Sequence, residues 1–345
     1  MFFHELEVKF LRILFAVMKM NRNIRTDLAL EMRECLHDES DGKISGVEIL
    51  VEEDQQLGAT VTWVSVENET GAQAMGKPIG NYITLEAEAM KENDPLAHEE
   101  ITKILARKLG QLHKLGENAV VLVVGLGNRY VTPDALGPKV CEKILVTRHM
   151  GDATPPELHG KLRGVSAIAP GVMGITGIET AEIVKGVAEK VKPDLIIAID
   201  ALAARRTGRI NATVQISDAG INPGAGMGNR RQPINQATMG VPVIAVGVPT
   251  VVDAATLVND TMDKMMASMA AALEGSADAA FADMLGNLQG DERYGLITEI
   301  LSPGNMFVTP KEVDAVMNRL ANIVAGMLNI ALHPGVTQED VNRYL

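Results

Sequence analysis

Two aspartates near the ends of apolar, strand-like runs are the side chains best suited to chemistry. Asp134 follows the run from Ala119 to Gly125, and Asp200 ends the run that begins at Asp194. Unbroken runs of valine, isoleucine and leucine are typical of strands buried on both faces of a parallel sheet, where ligands collect beyond the carboxyl ends. Two carboxyl groups delivered there can share one proton and act as acid and base on a carbonyl group.

The same aspartates also have a structural interpretation. Asp200 would cap the helix that follows it, and Asp134 would belong to a turn before Pro138, since single aspartates often cap helices. The pattern alone leaves both interpretations open.

The elements that must position these residues have the periodicity of an α/β fold. From about residue 118 to 260, strand-like runs alternate with helical segments, which predicts a mainly parallel sheet with helices on both faces. Upstream, residues 46–69 and 80–86 indicate a smaller, strand-rich N-terminal subdomain. Thr176 and Glu179 have the spacing of a capping box for a helix that runs to about Val191.

Composition and glycine patterns exclude several classes of function. The 345-residue chain has a formal charge of −12, which argues against a nucleic-acid partner. Its apolar stretch at residues 10–17 contains Arg12 and is far shorter than the ~20 residues that span a bilayer, so no membrane partner is predicted. Two cysteines indicate an intracellular, cytoplasmic protein. Gly125 and Gly127 lack the third glycine of a dinucleotide fingerprint, and residues 224–228 lack the Lys-Ser/Thr of a P-loop, so no cofactor is predicted.

Long sequence motifs around the two aspartates resemble those of the germination protease family of spore-forming bacteria. The resemblance runs from about Arg25 to the C-terminus and is densest over residues 121–260. The motifs are Gly125-Leu-Gly-Asn128, Val131-Thr-Pro-Asp-Ala-Leu-Gly-Pro138, Ala169-Pro-Gly-Val-Met-Gly-Ile-Thr-Gly-Ile-Glu-Thr180, Ile199-Asp-Ala-Leu-Ala-Ala-Arg205, Gln215-Ile-Ser-Asp-Ala-Gly-Ile221 and Val248-Pro-Thr-Val-Val-Asp253.

The resemblance implies an endopeptidase that degrades small acid-soluble spore proteins during germination in the spore core. It also implies a self-processing zymogen and a homotetramer. Asp134 and Asp200 would be the catalytic pair. The segment around Thr26 resembles the family's self-cleavage site and its substrates' acidic–apolar–alanine sites, which implies cleavage between Asp27 and Leu28. The alternative there is an ordinary helix start, with Thr26 as N-cap and Asp27 in the first turn.

The domain prediction follows from that cleavage site. Residues 1–27 would be a leader or propeptide, and residues 28–345 the peptidase domain, with its α/β core at about 118–260. Four polar residues near the strand ends are candidates for substrate binding, the arginines because they can meet acidic groups. They are Asn128, Arg205, Arg230 and Arg231.

A weaker resemblance supplies the competing chemistry. The core is also similar to hydrogenase maturation endopeptidases, whose acidic pair binds nickel in the substrate. A metal-dependent peptidase of that type would need a third ligand, such as His149 or His159. Neither histidine lies in a recognisable metal-binding pattern, so no metal ligand is predicted.

Overall fold

The computed structural model describes residues 26–37, 44–153, 158–223, 231–273 and 306–340, and a nine-stranded mixed sheet dominates this part of the chain. The strands are β1 (Val47–Asp54), β2 (Ala59–Val66), β3 (Gly80–Ala87), β4 (Val120–Gly125), β5 (Gly164–Ile168), β6 (Leu195–Ala204), β7 (Thr213–Ser217), β8 (Val243–Asp253) and β9 (Phe307–Val308). The helices are α1 (Ala29–His37), α2 (Glu69–Met75), α3 (Pro95–Leu112), α4 (Leu136–Cys141), α5 (Met173–Thr176), α6 (Thr180–Val191), α7 (Gln236–Met239), α8 (Ala254–Leu273) and α9 (Val313–Leu332).

The sheet has a parallel half and an antiparallel half. Its strand order is β1-β2-β3-β7-β8-β6-β4-β5, with β9 added beside β8. The strands β5, β4, β6 and β8 run parallel, as the continuous apolar runs predict. From β8 through β7 and β3 to β1 every pairing is antiparallel.

The prediction of a mainly parallel sheet is therefore wrong, and the fold is a mixed α/β fold. The strand-rich N-terminal segment does exist. However, β3 pairs with β7 over Tyr82–Glu86, so those strands extend the central sheet instead of forming a subdomain of their own. The period-two alternation of β2 predicts a half-buried strand, but no local pattern predicts that β3 pairs with β7.

Apolar helices cover both faces of the parallel half. Along β4, Val121 and Val123 point into a core formed with α3, α4 and α9, whereas Leu122 and Val124 point into a second core with α6 and α7. All four side chains are essentially inaccessible to solvent. Full burial of such a side chain contributes about 1.5–3 kcal/mol, so residues on both faces of β4 stabilise its position between the two layers of helices.

Two helices differ in how they relate to this core. Among the described residues, α9 is the one helix long and apolar enough to cross a membrane, and most of it is buried inside the chain, as in a soluble core helix. The helix α8 belongs to a separate compact unit formed by residues 1–25 and Asp253–Met306. Within that unit the backbone N–H of Ala254 donates to the carbonyl of Met306 at 2.9 Å.

One helix start differs from the sequence prediction, and one short helix shapes the site. Thr176 does not cap α6, because Gly177 adopts φ 71° and ends α5, and α6 begins only at Thr180. The helix α4 spans just Leu136–Cys141. It packs against the end of β4, where a Cβ on Gly125 would lie 2.2 Å from the carbonyl oxygen of Gly137. That close approach brings the turn holding Asp134 to the carboxyl edge of the sheet.

Candidate active site

A cavity of about 500 Å³ opens beyond the carboxyl ends of β4 and β6, and both Asp134 and Asp200 line it. Asp200 comes from β6, and Asp134 from the single helical turn that follows β4. The two residues therefore meet where a parallel sheet presents its strand ends.

Asp200 is buried, with 7% of its surface exposed. It does not cap a helix, because β6 continues through it to Ala204, so that structural alternative is wrong. The N–H of Ala201 donates to Asp200 Oδ1 at 2.9 Å. Burial raises the pKa of Asp200 well above its ordinary value, and the carboxylates of Asp134 and Asp27 raise it further, against the Ala201 N–H and the positive charge of Arg231.

Asp134 lies in the turn, half-buried, and is held by the loop after β4. The N–H of Asn128 donates to its carbonyl oxygen at 3.0 Å and to its Oδ2 at 2.8 Å. Gly127 makes this approach possible, because its φ is +102° and a Cβ there would lie 2.1 Å from the Asp134 carbonyl oxygen. Burial raises the pKa of Asp134 to about 6, although the Asn128 N–H and Arg231 oppose the rise.

A bulge in β8 anchors the same turn from the other side. The register of β6 with β8 shifts at Leu202, leaving Thr250 as the extra residue on β8. Thr250 Oγ1 donates to the carbonyl of Pro133 at 2.7 Å, one residue before Asp134. Bulges next to functional sites commonly redirect one side chain in this way.

The two carboxyl groups form an electrostatically coupled pair. Both pKa values are raised, and the charge on Asp134 contributes to the rise at Asp200. Neighbouring carboxyl groups that cannot both ionise share a proton and titrate as a unit. One of them can then accept a proton from water while the other donates one, which is the chemistry of hydrolysis at a carbonyl group.

The N-terminal segment enters this cavity. Asp27 is one of its lining residues, and the segment pairs with the end of β6. The Asp27 N–H donates to the carbonyl of Ala203 at 3.1 Å, and the Ala203 N–H donates to Asp27 Oδ2 at 2.9 Å. Leu28 is completely buried among apolar residues that include Leu202 and Ile210.

This segment is not helical at the predicted cleavage site. The helix α1 begins at Ala29, so Asp27 precedes it instead of lying in its first turn. The Thr26 hydroxyl accepts from the N–H of Leu28 at 3.1 Å and donates to Glu31 Oε2. The bond between Asp27 and Leu28 is therefore in non-helical backbone beside the two catalytic candidates.

Buried charges hold α1 next to the cavity. Glu31 accepts from the N–H groups of Arg205 at 2.7 Å and Arg206 at 2.8 Å. Arg209 donates two hydrogen bonds to Glu34, at 2.8 and 2.7 Å, and one to Glu86 at 2.6 Å. Burial alone would lower the pKa of Arg209, but these hydrogen bonds raise it, so the guanidinium stays charged.

Comparison with known proteins decides the family. The germination protease family matches residues 25–282 and 273–345. This chain belongs to the germination protease family. A germination protease of Clostridium tetani is 50% identical, over 94% of this chain and 99% of that relative. One of Caldanaerobacter subterraneus is 48% identical over 93% and 98%, and one of Bacillus anthracis is 41% identical over 93% and 97%.

A solved structure also aligns with part of this germination protease. The NiFe hydrogenase maturation protease HycI of Thermococcus kodakarensis has 16% identity and a TM-score of 0.29, covering 61% of this chain and 92% of that one. The predicted resemblance of the core to that class stays a prediction.

The four substrate-binding candidates of this germination protease have different surroundings. Arg231 lies close enough to both catalytic candidates to lower their pKa values. Asn128 acts through its backbone N–H on Asp134, and its side chain accepts from the N–H of Tyr130 at 3.0 Å. The backbone of Arg205 binds Glu31. Arg230, like leader residues 1–25, lies outside the described residues.

No described part of the chain gathers three or more His, Cys, Asp or Glu side chains in a metal-binding group. The two proposed third ligands, His149 and His159, are both exposed, and neither lines the cavity. The structure thus brings neither His149 nor His159 to the acidic pair.

Sequence reasoning missed two polar residues of the cavity, Lys77 and Gln215, which both contact Asp27. Gln215 is the first residue of one of the sequence motifs that carry the family resemblance, so that motif could have indicated it. Lys77 follows α2 and lies in none of these motifs.

Proposed function

We propose that this germination protease is made as a zymogen that cuts itself between Asp27 and Leu28, using Asp134 and Asp200 as the catalytic pair. The observation that supports the proposal is that Asp27, on the amino side of this bond, lines the same cavity as both aspartates. A segment that occupies the cavity would exclude other substrates until it is cut. Residues 1–27 would then be the propeptide.

In this proposal Asp200 holds the shared proton and Asp134 activates water. Asp200 is the more buried carboxyl, and the negative charges of Asp134 and Asp27 disfavour its ionised form, so its neutral form is favoured. Asp134, with a pKa of about 6, is largely ionised at neutral pH and can accept a proton from water. The pair still titrates as one coupled unit.

The substrates in this proposal are small acid-soluble spore proteins, bound in extended form in the spore core. Support comes from the way the site holds Asp27, whose carboxylate accepts from the Ala203 N–H while its own N–H pairs with the Ala203 carbonyl. An acidic residue followed by a buried apolar one would be held in the same place. Arg231 adds positive charge beside it.

We also propose a homo-oligomer, specifically the homotetramer that the family resemblance implies. The edge strand β1 supports an association surface, because Ile49, Leu50 and Val51 expose 36–60% of their surface there. Exposed apolar edge strands are natural sites of pairing.

The test is to incubate the purified chain with a spore-protein peptide, with and without a chelator, and to identify the fragments by mass. We expect cleavage after the acidic residue, a chain beginning at Leu28, and equal rates with and without chelator. Activity that disappears with chelator and returns with a metal ion would instead establish the metal-dependent alternative. An active enzyme that still begins at Met1, Met18 or Met20 would contradict the zymogen.

Variants separate the catalytic pair from the fold. Asp134→Asn and Asp200→Asn keep the side-chain shape, and each should slow self-cleavage by about 10²–10⁴-fold, the usual contribution of an acid or base. Asp27→Ala should slow it by removing the held carboxylate. Asp94→Asn is the matched control, because Asp94 caps α3 far from the cavity and asparagine also caps helices. Near-parental turnover of either catalytic variant would contradict the pair.

A further inference from the structure

Two donors converge on the carbonyl oxygen of Asp27. Lys77 Nζ donates to it at 2.8 Å, and Gln215 Nε2 donates at 3.4 Å. Lys77 comes from the end of α2 and Gln215 from β7, so they approach from separate elements. If the chain is cut after Asp27, this oxygen belongs to the bond that breaks.

The Gln215 amide spans the bond. Its Nε2 faces the Asp27 carbonyl, and its Oε1 accepts from the N–H of Ala29 at 2.8 Å. Only this orientation of the amide gives both neighbours a partner, because one is an acceptor and the other a donor. Gln215 therefore contacts the chain on both sides of the Asp27–Leu28 bond and holds this bond in one position.

Lys77 is partly buried at this point. Burial lowers the pKa of its ammonium group, while the carboxylates of Asp27 and Glu31 oppose that change. A charge in surroundings of low dielectric interacts more strongly than one in water. The ammonium is thus placed where a negative charge on the Asp27 oxygen would be stabilised most.

We propose that Lys77 and Gln215 are catalytic residues that bind the scissile carbonyl and stabilise the oxyanion formed during hydrolysis. The inference rests on the proposed cleavage between Asp27 and Leu28. It leaves Asp200 free to protonate the leaving nitrogen, because the carbonyl is already polarised by other groups. Preorganised donors of this kind are often the largest contribution to such catalysis.

The reaction balances with water alone. The water oxygen bonds to the Asp27 carbonyl carbon and gives one proton to Asp134, while the carbonyl π electrons move onto the oxygen that Lys77 and Gln215 hold. When that oxyanion collapses, the bond to the Leu28 nitrogen breaks. The nitrogen takes the proton of Asp200, which leaves a carboxyl group on Asp27 and an amine on Leu28.

The test is the first-order rate of self-cleavage of the full chain, followed by mass, for Lys77→Met and Gln215→Glu. Lys77→Met keeps much of the side-chain length without the charge, and we expect about a 10²–10³-fold loss. Gln215→Glu keeps the acceptor for Ala29, replaces the donor with an acceptor and adds a negative charge beside the carbonyl oxygen, so we expect at least about a tenfold loss. Lys103→Met, on the exposed face of α3, is the control and should cleave at the parental rate.

Thermal unfolding of each variant shows whether the fold is retained. If Lys77→Met fails to fold, the isosteric Gln215→Glu decides the question alone. A folded Lys77→Met or Gln215→Glu that cleaves within threefold of the parent overturns the oxyanion role and leaves the proposed function intact. A parent chain that never yields Leu28 at its N-terminus overturns the proposed function itself.

Discussion

The raised pKa of Asp134 should be visible in the stability of the folded chain. Burial raises that pKa from 3.8 to about 6, so ionised Asp134 is less favourable in the folded than in the unfolded state. Below about pH 4 both states are protonated and there is no penalty. Between about pH 4 and 6 the folded state binds more protons, and the free energy of unfolding therefore falls as the pH rises.

The size of the effect follows from the same values. A rise from 3.8 to about 6 corresponds to about 3 kcal/mol at neutral pH, and because Asp134 keeps some contact with solvent we expect about 2 kcal/mol. Asp134→Asn has no proton to lose and still offers an oxygen to the Asn128 N–H. Relative to the parent, the variant should therefore gain about 2 kcal/mol between pH 3.5 and 7.

The assay is urea unfolding of Asp134→Asn and of the parent across that pH range, with intact mass confirming that neither chain has been cut. Asp94→Asn supplies the baseline for the same substitution at a helix cap outside the cavity. A difference between Asp134→Asn and the parent that stays constant with pH would refute the argument, because it would mean that the folded state does not disfavour the charge on Asp134.

Two further predictions concern the parts that hold the site. Gly127→Ala forces a Cβ to 2.1 Å from the Asp134 carbonyl oxygen at φ +102°, so it should cost about 1–3 kcal/mol of stability and slow cleavage. The control Gly110→Ala, in open space on α3, should stabilise the chain by about 0.5–1 kcal/mol. Equal free energies of unfolding for the two variants would count against the close approach at Gly127. Glu31→Gln should cost about 2–3 kcal/mol in urea unfolding because it weakens charged hydrogen bonds to two backbone N–H groups. The exposed Glu142→Gln should leave stability unchanged, and the same result for Glu31→Gln would show that these bonds do not hold α1.

The parallel half of the fold could be predicted because its signal is local. The apolar runs at 119–125 and 194–200 correspond to β4 and β6, and both are buried on two faces. That Asp134, after β4, and Asp200, in the carboxyl-terminal half of β6, lie at the same edge of the parallel half then follows from the general geometry of such sheets. Residues that are contiguous in the sequence therefore predict this part of the site.

The antiparallel half could not be predicted because its pairing is non-local. The strand β3 pairs with β7 about 130 residues later in the chain, and no local pattern specifies that partner. The extension of β6 beyond Asp200 is a second example. Its residues Ala201–Ala204 favour helix by intrinsic propensity, but pairing with β8 keeps them extended.

The same non-local pairing explains why Lys77 and Gln215 were missed. Each reaches Asp27 only because the antiparallel strands join the parallel half, which brings β7 and the end of α2 to one cavity. The proposed catalytic pair depends on one half of the sheet, whereas the groups that hold the Asp27 carbonyl depend on the other.

The contacts on the two sides of the proposed cleavage site are unequal, and this bears on what remains after the cut. Upstream, Asp27 forms two hydrogen bonds with Ala203 and accepts one each from Lys77 and Gln215, and other substrates can replace these contacts. Downstream, Leu28 is fully buried, and α1 is held by buried charges, with Glu31 on two backbone N–H groups. Cleavage would therefore release the residues that fill the cavity and keep α1 in place. The helix α1 would then keep the same place in the zymogen and in the mature enzyme.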